Sequence, residues 1–207
     1  MKFMAMILLF LVGAPVWAST QSVHPASAWV QETLELSKAV LEEKEEFDRF
    51  NGMCALLTNR LGSNTISSIW LGQYGQLNRN ADASAEFRSM IPSILMSKAV
   101  PVLGGAADGE FIVDGVAQER STGVYEVGVT VISSGRQYKG MAVIEDDGAG
   151  SFRLIDGEYM GLSVVNYQAR EYLNFMKRVY DKDPVHSLPV SALVQHIRSQ
   201  SDYRPCP

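Results

Sequence analysis

The stretch Asp156-Gly157-Glu158-Tyr159-Met160-Gly161-Leu162-Ser163-Val164-Val165-Asn166-Tyr167-Gln168-Ala169-Arg170-Glu171-Tyr172-Leu173 changes its period partway along. Met160, Leu162 and Val164 alternate, the spacing of a strand with one apolar face. From Ser163–Asn166 onward Val165, Tyr172, Leu173 and Met176 fall near one helical stripe. Lys177-Arg178 then suit the negative end of the helix dipole. A last strand that runs straight into a helix predicts that the helix folds back over the concave face of the sheet. The remainder of the chain is expected to wall off the space between them.

Working back from that stretch, the period is two from Gly109 onward. Strands are expected over residues 110–117, 124–132, 138–145, 152–156 and 159–164, with hairpin turns at Ser133-Ser134-Gly135 and Asp146-Asp147-Gly148. No helical segment separates them, so the strands form an antiparallel meander. Tyr125, Val127, Val129 and Val131 make one uniformly apolar face, opposite Glu126, Gly128 and Thr130. Such a sheet needs a cover on one side.

The first half of the chain is helical. Residues 27–50 carry apolar groups at helical spacing with glutamates on the other faces, and Asn51-Gly52 is read as the end of that helix. A short helix follows over 53–61. A third carries Ile66, Ile69, Trp70 and Tyr74 on one stripe. A fourth runs from Asp82, with Pro92 expected to kink it. After the helix that begins near Asn166, a last short helix closes the chain. The fold class is therefore α+β: N-terminal helices, then a curved antiparallel sheet of four to five strands, then C-terminal helices enclosing an apolar pocket.

The bulk numbers exclude several functions. Residues 1–18 have the positive, apolar and small-residue regions of a secretory signal, ending at Val16-Trp17-Ala18, and Ser19 is not the cysteine of a lipoprotein anchor. The reading is an exported, soluble chain: a signal peptide over 1–18 and a single domain over 19–207, with its ordered core at 27–198. Loss of Lys2 moves the net charge from −5 to about −6, which argues against nucleic acid. It argues equally against tight electrostatic docking on anionic lipid surfaces. Cys54 and Cys206 make an even count. They form one disulfide, or else Cys54 is a buried helix residue and Cys206 a terminal thiol; spacing leaves both readings open.

No catalytic or metal site is expected. The three histidines have no His-Glu-x-x-His or Cys-x-x-Cys spacing around them, and no nucleophile elbow or phosphate-cradling loop is present. Asp156 near Tyr159 is the one carboxylate considered for acid–base work in a pocket. A small enzyme with a cone-shaped sheet using that carboxylate, and an interaction domain with a packed core, stand as alternatives to a binding protein.

Three segments resemble one family, the MlaC-type periplasmic phospholipid carriers, also called toluene-tolerance auxiliary components of ABC transporters. They are Trp70-Leu71-Gly72-Gln73-Tyr74 followed by Ala85-Glu86-Phe87-Arg88; Phe152-Arg153-Leu154-Ile155-Asp156 followed by Gly161-Leu162-Ser163-Val164-Val165; and the closing residues 185–197. The likeness spans about residues 27–198. Phe152 stands where the family usually has Trp, the helix from Asp82 reads about a turn short, and Pro92 departs from the pattern. The resemblance implies a deep apolar cavity between sheet and helices that holds a phospholipid's acyl chains, or a related apolar lipid such as a hopanoid. Its wall would comprise Trp70, Tyr74, Ile94, Val127, Val129, Val131, Met141, Val143, Phe152, Leu154, Met160, Leu162 and Val164, with Leu173 and Met176 opposite. These residue types also fill ordinary cores, so the set as a whole carries the expectation. The cargo implied is a phospholipid, with no cofactor. The partners implied are a membrane-bound ABC transporter's substrate-capture protein and an outer-membrane complex, without stable membrane insertion.

Overall fold

The structure, a computed structural model, describes residues 23–103, 109–133, 135–148, 150–159 and 161–207. Residues 1–18, expected to be a signal peptide, and Met160 lie outside these residues. The helices are α1 (Pro25–Leu41), α2 (Glu46–Arg60), α3 (Ser63–Gly75), α4 (Ala81–Leu103), α5 (Val164–Lys182) and α6 (Pro189–Arg198), with a turn of 3-10 helix at Asn78–Asn80. Between α4 and α5 run β1 (Glu110–Ser121), β2 (Val124–Ser133), β3 (Arg136–Asp146), β4 (Phe152–Tyr159) and β5 (Leu162–Ser163). Each strand pairs antiparallel with the next in sequence, so the five form the meander that the period-two segments predict.

Some boundaries move, each for a physical reason. The first break falls at Glu42–Glu45 rather than at Asn51-Gly52, and α2 runs through Gly52. A Cβ at Gly52 would lie 2.7 Å from Val40 Cγ1, so the glycine serves the close approach of α1 to α2 instead of ending a helix. The break in helical backbone comes at Gly72 in α3, with φ 49° and ψ −138°. Helix α4 spans 23 residues as one element, through Pro92. It is not short.

Two cores lie side by side. In the first, α3, α4, α5 and α6 bury Ile66, Trp70, Tyr74, Phe87, Ile91, Ile94, Tyr172, Met176 and Leu193 among one another. Trp70, Phe87 and Tyr172 meet edge to face, with ring centroids 5.5 to 6.1 Å apart. The indole Nε1 donates to Val165 O at 2.9 Å. In the second, Ala26 and Val30 of α1 pack with Val127, Ile144 and Phe152 of the sheet. The helix laid on the apolar sheet face is thus α1, while the buried stripe of α5 joins the helical bundle. Leu154 packs against both cores. The α2–α3 link caps the exposed edge of β4 there, Gly62 N donating to Leu154 O at 2.9 Å.

A third cluster surrounds a disulfide. Cys54 of α2 is bonded to Cys206 with Cα atoms 5.5 Å apart, among Phe50, Met53 and Met96. This selects the first of the two readings of the cysteines. The pairing needs α2, α4 and the C-terminal segment to meet, which no local pattern encodes.

Candidate binding face

Strand register sorts the sheet's side chains onto two faces. Phe111, Val113 and Ala117 of β1 are paired with Val131, Val129 and Val127 of β2. Val127, Val129 and Val131 are paired in turn with Ala142, Gly140 and Tyr138 of β3. Ala142 then faces Gly157, and Ile144 faces Leu154. All of these share one face. The other face is polar: Arg120 meets Glu126 at 3.1 Å and Glu158 at 3.4 Å, and Met141 and Val143 lie among these groups, paired with Gly128 and Glu126.

Helix α1 covers one end of the apolar face. His24 N donates to Gly115 O at 3.1 Å, the His24 ring meets Tyr125 at 5.0 Å, and Trp29 meets Phe152 at 6.4 Å. Val127 and Ile144 are fully buried beneath it. At the other end Phe111, Val113, Val129, Val131 and Tyr138 are only half-buried. Small residues floor this end, namely Gly140, Ala142 and Gly157. Among the described residues no heavy atom lies within 4 Å of a Cβ built on Gly157. The rows Phe111–Val131–Tyr138 and Val113–Val129–Gly140–Tyr159–Leu162 contain no charged side chain. An open, half-buried surface of this composition offers an apolar ligand dispersion contact and nothing for acid–base or metal chemistry. Among the described residues, no three His, Cys, Asp or Glu side chains are grouped to hold a metal ion.

The residues expected to line one cavity are distributed as follows. Val127 and Phe152 are buried under α1, with Val129 and Leu154 packed at their side, and Val131 lies at the open end. Trp70, Tyr74, Ile94 and Met176 belong to the packed helical bundle, and Leu173 is half-buried against it. Of the sheet residues expected beside these five, Leu154 packs against the bundle, while Val127, Val129 and Phe152 belong to the core under α1. Met141 and Val143 point to the opposite face, because Gly140, Ala142 and Ile144 are the β3 residues in register with Val129, Val127 and Tyr125. Leu162 and Val164 are exposed: β5 is a two-residue edge strand, and α5 begins immediately after it. The residues the pattern missed are Phe111, Val113, Ala142 and Gly157; carrying the β2 alternation across the β2–β3 hairpin would have found Ala142, while register shifts at Glu119/Ser121 and at Val143/Ile144 hide the other three.

Asp156 has a structural role. Its carboxylate accepts from Val165 N at 3.0 Å, Gly157 N at 2.8 Å and Ser163 Oγ, and Ser163 Oγ in turn accepts from Asn166 N at 2.9 Å. The pair caps the N-terminus of α5 and ties it to β4. A hollow of about 380 Å³ opens between α5 and α6 and is lined by Gln168, Glu171, Tyr172, Asn174, Phe175, Arg178, His196 and Gln200. Its polar walls do not suit acyl chains. Burial, reinforced by the charges of Glu171 and Asp202, pushes the Tyr172 hydroxyl well above the ordinary tyrosine range.

No protein-family model and no curated protein matches the chain. Among solved structures, the chain is similar to the phospholipid-binding protein of Ralstonia solanacearum, determined in complex with a phospholipid. The two share 14% identity over 83% of this chain and 93% of that one, with a TM-score of 0.64. That likeness establishes a common fold.

Proposed function

We propose that the protein binds a phospholipid, or a related apolar lipid, against the open end of its sheet and carries it as a soluble periplasmic shuttle. The observation that carries this reading is the uncharged, half-buried surface around Gly157, floored by Gly140 and Ala142 and rimmed by Phe111, Val113, Val129 and Val131. The likeness of fold to a protein solved with a phospholipid supports it. The disulfide suits an oxidising compartment outside the cytosol. Among the described residues no helix is long and apolar enough to cross a membrane.

The energetics favour a carrier that hands its cargo over directly, not an enzyme that releases product into water. Two acyl chains hold about thirty methylenes, each worth about 0.8 kcal/mol when buried. That gross term is too large for release into solvent, but a bilayer or a partner's apolar channel offsets it. In this reading the chain need not hold lipid better than a membrane does. It must keep the acyl chains dry between a membrane-bound ABC transporter's capture protein and an outer-membrane complex.

Lipid extracts and native mass spectra of the purified protein test the proposal. A non-covalent adduct at phospholipid mass is expected. Gly157→Leu should remove it while leaving the melting temperature near wild type, because the backbone at Gly157 is outside the left-handed region and its side is open. Val129→Asp should remove it too, at a cost in stability. Gln118→Glu, on the polar face, should retain it. A clean apo mass for the wild-type protein would favour the interaction domain with a packed core.

A further inference from the structure

The start of α5 presents an apolar cluster to solvent. Leu162 is 70% exposed, Val164 48% and Tyr167 66%. They follow one another across the β5–α5 junction, with Val164 and Tyr167 a helical turn apart. The same face continues through Arg170, Asn174 and Arg178 at steps of three and four, all exposed. Its charges are unbalanced: α5 carries four bases and two acids, and Glu171 is an exposed carboxylate on this face, set against Arg170 and Arg178. Glu171 accepts from Gln168 Nε2 at 2.8 Å, and Asp181 pairs with Lys177 at 2.5 Å. Arg170 and Arg178 make no ion pair among the described residues. On a chain whose net charge is −5, this face is locally positive.

We infer that this face is a docking surface for an anionic lipid bilayer, with Leu162, Val164 and Tyr167 entering the interface and Arg170 and Arg178 meeting lipid phosphates. Exposed aliphatic and aromatic groups beside unpaired arginines are the chemistry of interfacial adsorption, in which apolar area and anionic attraction act together. A protein partner matched to the apolar groups alone would leave the arginines without a role. The junction is also held for the task, since the Asp156–Ser163 cap fixes where Leu162 and Val164 emerge. Leu162 lies in the row that ends at Val113 and Val129, so docking here brings the open end of the sheet to the bilayer. The inference stands without a lipid bound on that sheet, and the two are tested separately.

Co-sedimentation of the full mature protein with vesicles provides the test. It should bind vesicles of equimolar phosphatidylglycerol and phosphatidylcholine, bind phosphatidylcholine alone far less, and lose affinity as salt rises. Arg170→Glu and Arg178→Glu should each weaken binding about fivefold or more, the effect of one basic group at an anionic surface. The double variant Leu162→Ser/Tyr167→Ser should abolish it, and Val116→Ser, exposed elsewhere on β1, should not change it. Melting curves run alongside should be unchanged in these surface variants, and lipid extracts should be unchanged in Arg170→Glu and Arg178→Glu. Failure to sediment with the anionic vesicles overturns the inference. So does sedimentation that the double variant leaves intact, or a double variant whose only defect is loss of self-association. A wild-type protein that sediments but yields no lipid on extraction would instead remove the carrier reading and leave the docking surface standing.

Discussion

Asp156 shows how one side chain sets the boundary between two elements. Three donors converge on its carboxylate, two of them from residues 163–165 at the start of α5. Asp156→Ala leaves buried donors unsatisfied and should destabilise the fold by about 1–3 kcal/mol, visible as a lower midpoint in urea. Asp156→Asn keeps one acceptor oxygen and should fall between. Tyr172 supplies the other residue-scale test. Because burial raises its folded pKa, the protonated hydroxyl stabilises the fold fully below the ordinary tyrosine value of 10.0 and progressively less above it. Stability measured by denaturant titration should therefore decline as pH rises past about 10, and Tyr172→Phe should lessen that decline.

At the scale of elements, α3 and the sheet carry the informative features. The backbone of Gly72 adopts a conformation that L side chains rarely reach, and a Cβ there would lie 3.0 Å from Leu173 Cδ2. Gly72→Ala should cost at least about 1 kcal/mol in denaturant unfolding, since strain and contact add. Its effect should spread to α5, because the bend lets α3 follow α5 along their shared core. In the sheet, β2 is legible from its letters: Tyr125, Val127, Val129 and Val131 alternate cleanly with polar residues. Strand β3 is not. It offers Ala142 and Ile144 on one face and Met141 and Val143 on the other, so composition prefers neither. Only pairing with β2 through the Gly135 turn decides between them.

The whole molecule is closed by Cys54–Cys206, which joins positions 152 apart in sequence. Loop-closure entropy for a span of that length gives about 5 kcal/mol as an upper figure for its contribution. Reduction, or Cys54→Ser with Cys206→Ser, should lower the melting temperature substantially and loosen the C-terminal segment from Ser93, whose Oγ accepts from Cys206 N at 2.8 Å. Limited proteolysis near the C-terminus, faster in the reduced protein, would register that loosening. Net charge misleads at this scale. The acidic total argues against anionic surfaces, yet charge is distributed over faces, and the free face of α5 is positive.

What the sequence determined by itself was the order of elements, the antiparallel meander and the strand-to-helix junction at Ser163. All three follow from local period and turn chemistry, which act over a few residues. Tertiary structure alone decided that α1 covers the sheet, that Trp70, Tyr74 and Ile94 fill a separate bundle, and that the cysteines meet. An amphipathic helix declares that it has an apolar face but not which surface will bury it. That choice depends on the joint packing of segments far apart in the chain, where many pairings satisfy the same pattern and one leaves least apolar surface in water.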